Sequence, residues 1–379
     1  FDRYMQIARC FRDEDLRADR QPEFTQIDYE MSFVTQEDVM AVAEGLIREA
    51  YRAIGIDVSI PLPRMTWQEA MRRFGSDKPD LRFGMELKDL SGILKNTGFR
   101  VFAGALSKGG TVRGINLKGR AESLSRKDFD RLGEWIQAYG VKGLAYTRLC
   151  AQKESSSYEK FLSADEAAAV RSALGAETGD VLFLVADENR RTACTALGAL
   201  RCELARRFGL IDPRKICLLW ITDFPMFEYS REENRWVAEH HPFTMPRRED
   251  LDRLETDPGS VLAYAYDMIL NGNEIGGGSL RIHDRELQQR VFRVLKISPE
   301  QAKTRFGFLT DAFRFGAPPH GGMAFGLDRL VMVMLGCDNI RDVIAFPKTA
   351  SSAELMSGAP TDVDKKQLAE LGIAALPKK

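Results

Sequence analysis

Two carboxylates flank an asparagine–glycine pair in this 379-residue sequence, and their spacing indicates metal chemistry. Asn271-Gly272 is a strong signal for a hairpin with a two-residue type I′ turn. In the regular register Asp267 lies opposite Gly276 and shares one face of the hairpin with Glu274, about 7 Å away. Two such carboxylates can hold Mg²⁺ while substrate phosphates complete its ligand shell. We therefore predict a metal site at Asp267 and Glu274, with two solvated strand carboxylates as the alternative.

The glycines that follow the turn predict an irregular strand. Gly276-Gly277-Gly278 lies inside the second strand of the hairpin, where glycine indicates a bulge or a close backbone approach to a ligand. In a regular strand Arg281 faces away from Glu274, because successive side chains alternate. We expect a bulge in the glycine run that brings both side chains to one pocket; a regular strand with Arg281 in solvent would contradict this.

Two further segments carry candidate ligand-binding residues. The glycine-rich segment 321–326 leads into helical spacing, and a predicted buried stripe contains Leu327, Leu330, Val331 and Met334. Arg329 leaves that stripe near a helix N-terminus, which favours phosphate; a solvated arginine is the alternative. His240-His241 has no third ligand at metal spacing, so we predict a loop that hydrogen-bonds a substrate rather than a zinc site.

Local patterns predict the elements that position these residues. Alternation with period two indicates two strands, and the charged stretch between them is predicted to be a hairpin loop, with a charged helix face as the alternative. A capping pattern, Thr35-Gln36-Glu37-Asp38, opens the first helix. The predicted elements are strands at residues 4–11, 24–33 and 216–221 and helices at residues 35–54 and 66–74.

Composition excludes several classes of protein. With 44% hydrophobic residues the chain can bury a large core, which excludes disorder over most of its length. Lys and Arg number 54 against 55 Asp and Glu, so binding of nucleic acid by bulk electrostatics alone is excluded. The apolar run at residues 330–335 is far too short to span a bilayer. Six cysteines without a C-x-x-C pair predict reduced thiols.

A change of texture predicts an inserted domain. From about residue 90 to about residue 205 glycines recur, and short strands alternate with helices. Residues 95–148 contain eleven Lys or Arg against four Asp or Glu, a local charge of +7, which indicates either a face towards an anionic partner or a solvated surface. We predict a catalytic domain in two parts, residues 1–89 and 206–379, around an insertion at residues 90–205.

Several stretches together resemble one family. Phe11-Arg12-Asp13-Glu14, with residues 22–28, resembles motif 2 of class II aminoacyl-tRNA synthetases, and Gly326-Leu327-Asp328-Arg329 resembles motif 3. Residues 76–82 (SDKPDLR), 240–244 (HHPFT) and 273–278 (NEIGGG) narrow the resemblance to bacterial-type aspartyl-tRNA synthetases, a type also found in mitochondria. The insertion resembles the GAD domain of that family.

The resemblance implies a fold, substrates and site residues. The fold would be α+β, with the class II antiparallel sheet flanked by helices and an inserted α/β GAD-type domain. ATP, L-aspartate and tRNA would be the substrates and Mg²⁺ the cofactor, in a homodimer of the bacterial cytoplasm or, alternatively, the mitochondrial matrix. The implied ATP contacts are Arg12, Asp13, Glu14, Gln21, Phe24, Glu274, Gly326, Leu327, Asp328 and Arg329. The implied aspartate contacts are Arg12, Gln26, Asp28, His240, His241 and Arg281. Asp267 and Glu274 would hold the metal, and Arg17 and Arg20 would touch the tRNA acceptor end.

The implied activity is that of an aspartate–tRNA ligase. ATP would activate aspartate to aspartyl-adenylate, and the aspartyl group would pass to the 3′ end of tRNA-Asp, with tRNA-Asn left open as a second acceptor. Arg12 would grip the α-phosphate, and Phe24 and Arg329 would sandwich the adenine. Arg281 would reject asparagine, because an amide cannot accept a bidentate guanidinium pair.

Three parts of the family pattern are not found in this sequence: the N-terminal barrel that reads the anticodon, motif 1, and the loop that closes over aspartate. We therefore expect the chain to begin inside a domain and not to recognise an anticodon by itself. Two alternatives stay open, a synthetase-like asparagine synthetase and a non-catalytic tRNA-binding fragment. The GAD-like insertion argues against the first, and the intact Arg12, Glu274 and Arg329 argue against the second.

Overall fold

The computed structural model describes residues 1–13 and 17–375. The strands, in chain order, are β1 (Arg3–Phe11), β2 (Glu23–Ser32), β3 (Arg64–Thr66), β4 (Lys88–Asp89), β5 (Thr111–Leu117), β6 (Ala145–Arg148), β7 (Ser155–Ser156), β8 (Val181–Asp187), β9 (Leu218–Thr222), β10 (Phe227–Ser230), β11 (Arg235–Ala238), β12 (Ala265–Leu270), β13 (Asn273–Leu280) and β14 (His320–Gly326). The α-helices are α1 (Gln36–Arg52), α2 (Trp67–Phe74), α3 (Arg100–Leu106), α4 (Arg126–Trp135), α5 (Ala164–Ala173), α6 (Arg190–Arg207), α7 (Arg285–Val294), α8 (Pro299–Ala312), α9 (Leu327–Leu335) and α10 (Lys365–Glu370). Short 3₁₀ helices cover Ala121–Ser123, Ile136–Tyr139, Glu159–Phe161, Arg248–Arg253, Pro258–Ser260, Phe313–Phe315 and Ile340–Val343.

The locally encoded elements agree with the sequence patterns. Strands β1 and β2 flank the charged stretch, which confirms the prediction of two strands there. Thr35 and Asp38 form a reciprocal capping box at the start of α1, with Thr35 N–H donating to Asp38 Oδ2 at 2.8 Å. Thr66 caps α2 by accepting from Glu69 N–H at 3.1 Å. The cap at Thr35 forms as predicted, and both caps are local because their partners are only three residues apart.

The chain divides into two compact units. The first contains Phe1–Arg3 and Glu30–Met323, and in its larger sheet β14, β13, β12, β9 and β3 are neighbours in that order. Strand β12 pairs antiparallel with β13 and with β9, whereas β3 and β9 are parallel. One apolar core of this unit contains the buried Leu219, Ile221, Ala265, Ile269 and Val291. This is the mixed α+β architecture, with a large antiparallel sheet, that we expected.

A second sheet of the first unit is built from residues 88–187. Its order is β4, β5, β8, β6, β7, and its pairs are antiparallel. Residues along β8 alternate between two apolar cores: Val181 and Phe183 lie in one, Leu182 and Leu184 in the other. A sheet buried on both faces needs helices on both sides, and α3 to α6 lie in this part of the chain. The division at residues 90 and 205 stays a prediction.

The second unit contains Tyr4–Tyr29 and Ala324–Lys379. It includes most of β1 and β2, the end of β14, and helices α9 and α10. In α9 the buried residues are Leu330 and Met332, whereas Leu327, Val331 and Met334 are half-buried. The predicted stripe is therefore right only for Leu330. None of the helices in the described part of the chain has both the length and the apolarity that crossing a bilayer requires.

Candidate active site

The hairpin of β12 and β13 carries the candidate site, and its turn is the one predicted. Asn271 and Gly272 have φ angles of 52° and 81°, which is the left-handed backbone of a type I′ turn. Leu270 pairs with Asn273 across the turn. Only glycine and, less readily, asparagine adopt this conformation without large strain, which is why the dipeptide was a reliable signal.

A bulge interrupts β13 as predicted, but one residue before the glycine run. Glu274 pairs with Ile269 and Gly276 pairs with Met268, so Ile275 is the extra residue. The expected pairing of Asp267 with Gly276 is wrong, since the bulge shifts the register by one. Asp267 instead lies opposite Gly277.

The bulge brings the two carboxylates together. A Cβ atom built on Gly277 would collide with Asp267 Oδ1 and lie 3.7 Å from Glu274 Oε1, so both side chains reach over the same glycine. Burial, and next the like charge of Glu274, raise the pKa of Asp267 well above its usual value. The described residues contain no cluster of three or more His, Cys, Asp or Glu that could hold a metal. A two-carboxylate site therefore fits a cation that takes its remaining ligands from phosphates and water.

Replacing Gly277 with alanine is expected to destabilise the first unit. The new methyl group would displace the Asp267 carboxylate, and overpacking of this kind costs about 1–3 kcal/mol. The free energy of unfolding, measured with urea, checks this. Gly307→Ala is the matched control: its Cβ would lie 3.7 Å from Lys303 Cγ in helix α8, so it should be neutral or stabilising. Equal stability of Gly277→Ala and the parent protein would contradict the placement of Asp267.

Arg281 lies at the end of β13 and is held from three sides. Its Nη2 donates to Glu30 Oε1 at 2.7 Å, and its Nε donates to the same oxygen at 3.2 Å. Its Nη1 donates to Ser279 Oγ at 2.6 Å and to His241 Nε2 at 2.7 Å. The side chain is 19% exposed, so Arg281 does not lie in solvent, in agreement with the predicted bulge. These contacts place the guanidinium on the face of the strand that carries Gly277 and Ser279.

His241 is part of this network. A guanidinium can only donate, so Nε2 of His241 accepts from Arg281. Its Nδ1 accepts from Phe243 N–H at 3.2 Å and lies 3.3 Å from Thr244 Oγ1. Burial, and next the charge of Arg281, lower the pKa of His241 to about 4. His240 is exposed, and its ring packs edge-on against Phe224 at 4.7 Å between centroids.

The protonation of His241 is expected to destabilise the fold at low pH. Its pKa is about 4 in the folded state against 6.5 unperturbed, so its contribution to stability is present above pH 6.5 and is lost as the pH falls towards 4. We expect the fall in unfolding free energy over this range to be about 2 kcal/mol smaller in His241→Gln, which keeps an acceptor for Arg281 but cannot titrate. An NMR titration midpoint near 6.5 for His241 would contradict this.

The residues that resemble motif 2 lie in the second unit. The guanidinium of Arg12 lies 5.3 Å from the ring centroid of Phe24, and Arg12 N–H donates to Pro22 O at 2.9 Å. Gln21 is buried, and its amide exchanges two hydrogen bonds with the backbone of Lys348: it accepts from N–H at 2.7 Å and donates to the carbonyl at 3.3 Å. Gln21 thus anchors this loop, whereas its predicted contact with ATP stays a prediction.

The motif 3 residues of the second unit tie helix α9 to β2. Asp328 Oδ2 accepts from Thr25 N–H at 2.7 Å. Arg329 donates to the carbonyl of Asp19 at 3.2 Å, which places its guanidinium beside the loop between the two stretches that resemble motif 2. In that loop Arg17 and Asp13 are exposed and Arg20 is half-buried. Gln26 accepts from Cys10 Sγ at 3.2 Å. Glu14 lies outside the described residues.

Sequence reasoning missed two members of the Arg281 network, Glu30 and Ser279. A signal for Glu30 existed, because the alternation in β2 puts it on the same face as Phe24, Gln26 and Asp28. No local signal pointed to its partner, since Glu30 and Arg281 are 251 residues apart. Ser279 shares a face with Arg281 only two residues away, and alternation alone predicts it.

Comparison with known proteins gives a consistent family. The family model described as "tRNA synthetases class II (D, K and N)" matches residues 1–350. "Aspartate--tRNA(Asp/Asn) ligase" of Caldanaerobacter subterraneus is 57% identical over 98% of this chain and 63% of its own length. "Aspartate--tRNA ligase" of Geobacillus kaustophilus is 55% identical over 99% of this chain and 64% of its own length. The solved asparaginyl-tRNA synthetase of Entamoeba histolytica, in complex with asparaginyl-adenylate, has a TM-score of 0.45 at 15% identity, covering 93% of this chain and 54% of that one.

The match to the family model covers most of the chain and includes the whole hairpin site. The chain spans a little under two thirds of the length of the curated relatives. The chain therefore belongs to the class II tRNA synthetases of the D, K and N group.

Proposed function

We propose that the protein containing this chain is an aspartate–tRNA ligase. One observation carries the proposal: the bulged hairpin holds Asp267, Glu274 and Arg281 on one face, so a cation site and an anchored guanidinium belong to the same strand pair. The names of the relatives support it, since both are aspartate–tRNA ligases. The first unit thus contains a site for phosphates and, along the same strand, a site for a carboxylate.

The proposed reaction has two group transfers. In the first, a carboxylate oxygen of aspartate attacks the α-phosphorus of ATP, the bond to the bridging oxygen breaks, and pyrophosphate leaves. In the second, a terminal ribose hydroxyl of tRNA attacks the carbonyl carbon of aspartyl-adenylate and AMP leaves. Neither step needs strong acid or base catalysis from the protein. Positioning and the neutralisation of phosphate charge account for most of the rate.

Asp267 and Glu274 are the residues that would hold Mg²⁺. Their two carboxylates approach one another over Gly277, and burial, and next the like charge of Glu274, raise the pKa of Asp267. A divalent cation bound there would neutralise the pair and the charge of the phosphate oxygens. The protein's own contribution is to keep both oxygens on one face of the bulged strand.

Arg281 is the proposed contact of the aspartate side chain. Its Nε and Nη2 both donate to Glu30 Oε1, so the edge of the guanidinium that would take a bidentate carboxylate is held by Glu30. A substrate carboxylate must therefore share Nη2 with Glu30 or displace it. Bidentate binding of the substrate carboxylate by Arg281, as expected from the sequence, therefore requires Glu30 to share or release this edge of the guanidinium.

The remaining roles follow from the resemblance. They are proposals for residues of the second unit and for His240 and His241. Arg12 would bind the α-phosphate, and Phe24 and Arg329 would bracket the adenine, where an arginine can stack on a planar ring. The other proposed ATP contacts are Asp13, Glu14, Gln21, Gly326, Leu327 and Asp328. The other proposed aspartate contacts are Gln26, Asp28, His240 and His241, and Arg17 and Arg20 would meet the tRNA acceptor end.

Exchange of radiolabelled pyrophosphate into ATP tests the first step. We expect exchange that depends on aspartate and Mg²⁺ and is not supported by asparagine or lysine. Exchange supported by lysine or asparagine instead would overturn the assignment to aspartate. Free asparagine formed from aspartate, ATP and ammonia without tRNA would show a different enzyme.

Aminoacylation of transcripts tests the second step. We expect aspartylation of tRNA-Asp by the full-length protein, and a parallel reaction with tRNA-Asn decides between the two acceptor ranges that the relatives' names carry. We further propose that the protein is a homodimer, which sedimentation velocity tests. No aspartylation of either transcript would contradict the proposal.

A further inference from the structure

The segment at residues 76–84, Ser-Asp-Lys-Pro-Asp-Leu-Arg-Phe-Gly, has no role in the function proposed so far. It follows helix α2 and precedes β4. Its hydrogen bonds connect two elements that are distant in sequence: helix α6 on one side and the turn of the β12–β13 hairpin on the other.

Arg201 of α6 binds the backbone of the segment from its buried side. The residue is 1% exposed. Its Nη2 donates to the carbonyls of Asp80 and Phe83 at 2.9 Å each, and its Nε donates to the carbonyl of Gly84 at 3.0 Å. Its guanidinium lies 3.9 Å from the ring centroid of Phe83 and 5.0 Å from that of Phe74. A buried cation is costly, and here carbonyl dipoles and two aromatic rings stabilise it. Burial lowers the pKa of Arg201.

The same segment contacts the hairpin turn. Arg82 forms a two-point ion pair with Asp80, with Nη2 to Oδ2 at 2.7 Å and Nε to Oδ1 at 3.0 Å. Its Nη2 also donates to the carbonyl of Asn271 at 3.4 Å. A Cβ atom on Gly272 would lie 3.0 Å from Asp80 Cβ, so the turn packs directly on this ion pair. Asp80 is therefore bound by Arg201 through its backbone and by Arg82 through its side chain.

The turn is fixed on its other side as well. Asn271 Oδ1 accepts from Cys217 N–H at 2.8 Å, and Asn271 Nδ2 donates to the carbonyl of Lys215 at 3.1 Å. Asn271 N–H donates to the carbonyl of Cys217 at 3.1 Å. The tip of the hairpin is thus clamped between the start of β9 and the segment 76–84. Both sets of contacts act on the turn that joins the strands carrying Asp267 and Glu274.

We propose that residues 76–84 form a strut through which helix α6 positions the hairpin turn, with Arg201, Asp80 and Arg82 as positioning residues for the Asp267–Glu274 pair. The importance of that pair rests on the proposed function, whereas the mechanical link itself does not. Residues of helix α6 pack in one apolar core with Val181 and Phe183 of β8, so the strut connects the second sheet of this unit to the hairpin turn.

Hydrogen–deuterium exchange of the full chain tests the link without any substrate. Arg201→Lys keeps the charge but cannot present the planar fork that binds three carbonyls. We expect exchange to rise about fivefold or more both at residues 80–84 and at residues 270–274, because buried carbonyls lose their donors. Arg206→Lys is the matched control on the same helix: its side chain is 70% exposed, and exchange should stay unchanged.

A second variant, Arg82→Ala, tests the link if Arg201→Lys does not fold. Arg82 is 19% exposed, so Arg82→Ala removes the contact with Asn271 and leaves the three Arg201 bonds to carbonyls in place. Exchange should then rise at residues 270–274 and stay near the parent value at residue 84. Exchange that rises only at residues 80–84 in either variant, with the turn unaffected, would overturn the strut.

The Mg²⁺ dependence of pyrophosphate exchange gives a second readout. We expect the Mg²⁺ concentration for half-maximal rate to rise about threefold or more in both variants, with the KM for aspartate unchanged, because Arg281 lies at the opposite end of β13. A general loss of folding would instead change both quantities. If the parent protein shows no pyrophosphate exchange, the proposed function fails, and hydrogen exchange still decides whether the strut exists.

Discussion

Replacement of Arg281 by glutamine is expected to lower kcat/KM for aspartate in pyrophosphate exchange by about a thousandfold. Glutamine removes the charge that a substrate carboxylate needs, and charged hydrogen bonds in a site built around them are worth several kcal/mol. The guanidinium is also preorganised, since Glu30, Ser279 and His241 all hold it before substrate arrives. No smaller side chain at this position keeps those contacts.

The discrimination between aspartate and asparagine makes this prediction specific. We expect the activity with asparagine to change little in Arg281→Gln, so the preference for aspartate should fall by about a hundredfold or more. Arg285→Gln, an exposed arginine four residues along the chain, is the control and should behave like the parent protein. An equal loss with both amino acids would show that Arg281 acts on folding or on ATP rather than on the side chain of the substrate.

Asp267→Asn is expected to have the second large effect, and to move activity and stability in opposite directions. Asparagine keeps the shape of the side chain but removes one of the two charges that would hold Mg²⁺, so pyrophosphate exchange should fall about a hundredfold to a thousandfold. In Mg²⁺-free buffer the free energy of unfolding of the same variant should be about 1 kcal/mol higher, because the substitution relieves the repulsion with Glu274 at a half-buried position.

Glu274→Gln should show the same pair of effects, since it removes the other charge of the pair. Pyrophosphate exchange as a function of Mg²⁺ and urea unfolding in EDTA are the measurements. Asp311→Asn, on the exposed surface of helix α8, is the matched control and should change neither quantity. If Asp267→Asn lowers both stability and activity, the carboxylate serves packing and not a cation.

The features of the site that the sequence predicted correctly depend on residues that lie close together in the chain. The Asn271-Gly272 turn and the capping box of Thr35 and Asp38 were predicted correctly, because each depends on backbone conformation within four residues. The bulge was predicted from the requirement that Glu274 and Arg281 meet, but it lies at Ile275 and not among the glycines. Glycine permits both a bulge and a close approach of another group to the backbone. The glycine run alone therefore did not indicate which of the two occurs here. At Gly277 it serves the approach of Asp267.

By itself, the sequence determined the two strands around the charged loop, the hairpin and its turn, and the residue types of a cation site, since each follows from period, turn chemistry or charge. Only the tertiary structure decided that Glu30 holds Arg281 across 251 residues and that Arg201 binds a loop whose Asp80 lies 121 residues earlier. Neither pairing has a local signal, because an ion pair or a buried guanidinium depends on which elements the fold brings into contact, and many charged residues could have filled either place. Asp267 and Glu274 are thus locally encoded, whereas their environment is a property of the whole first unit.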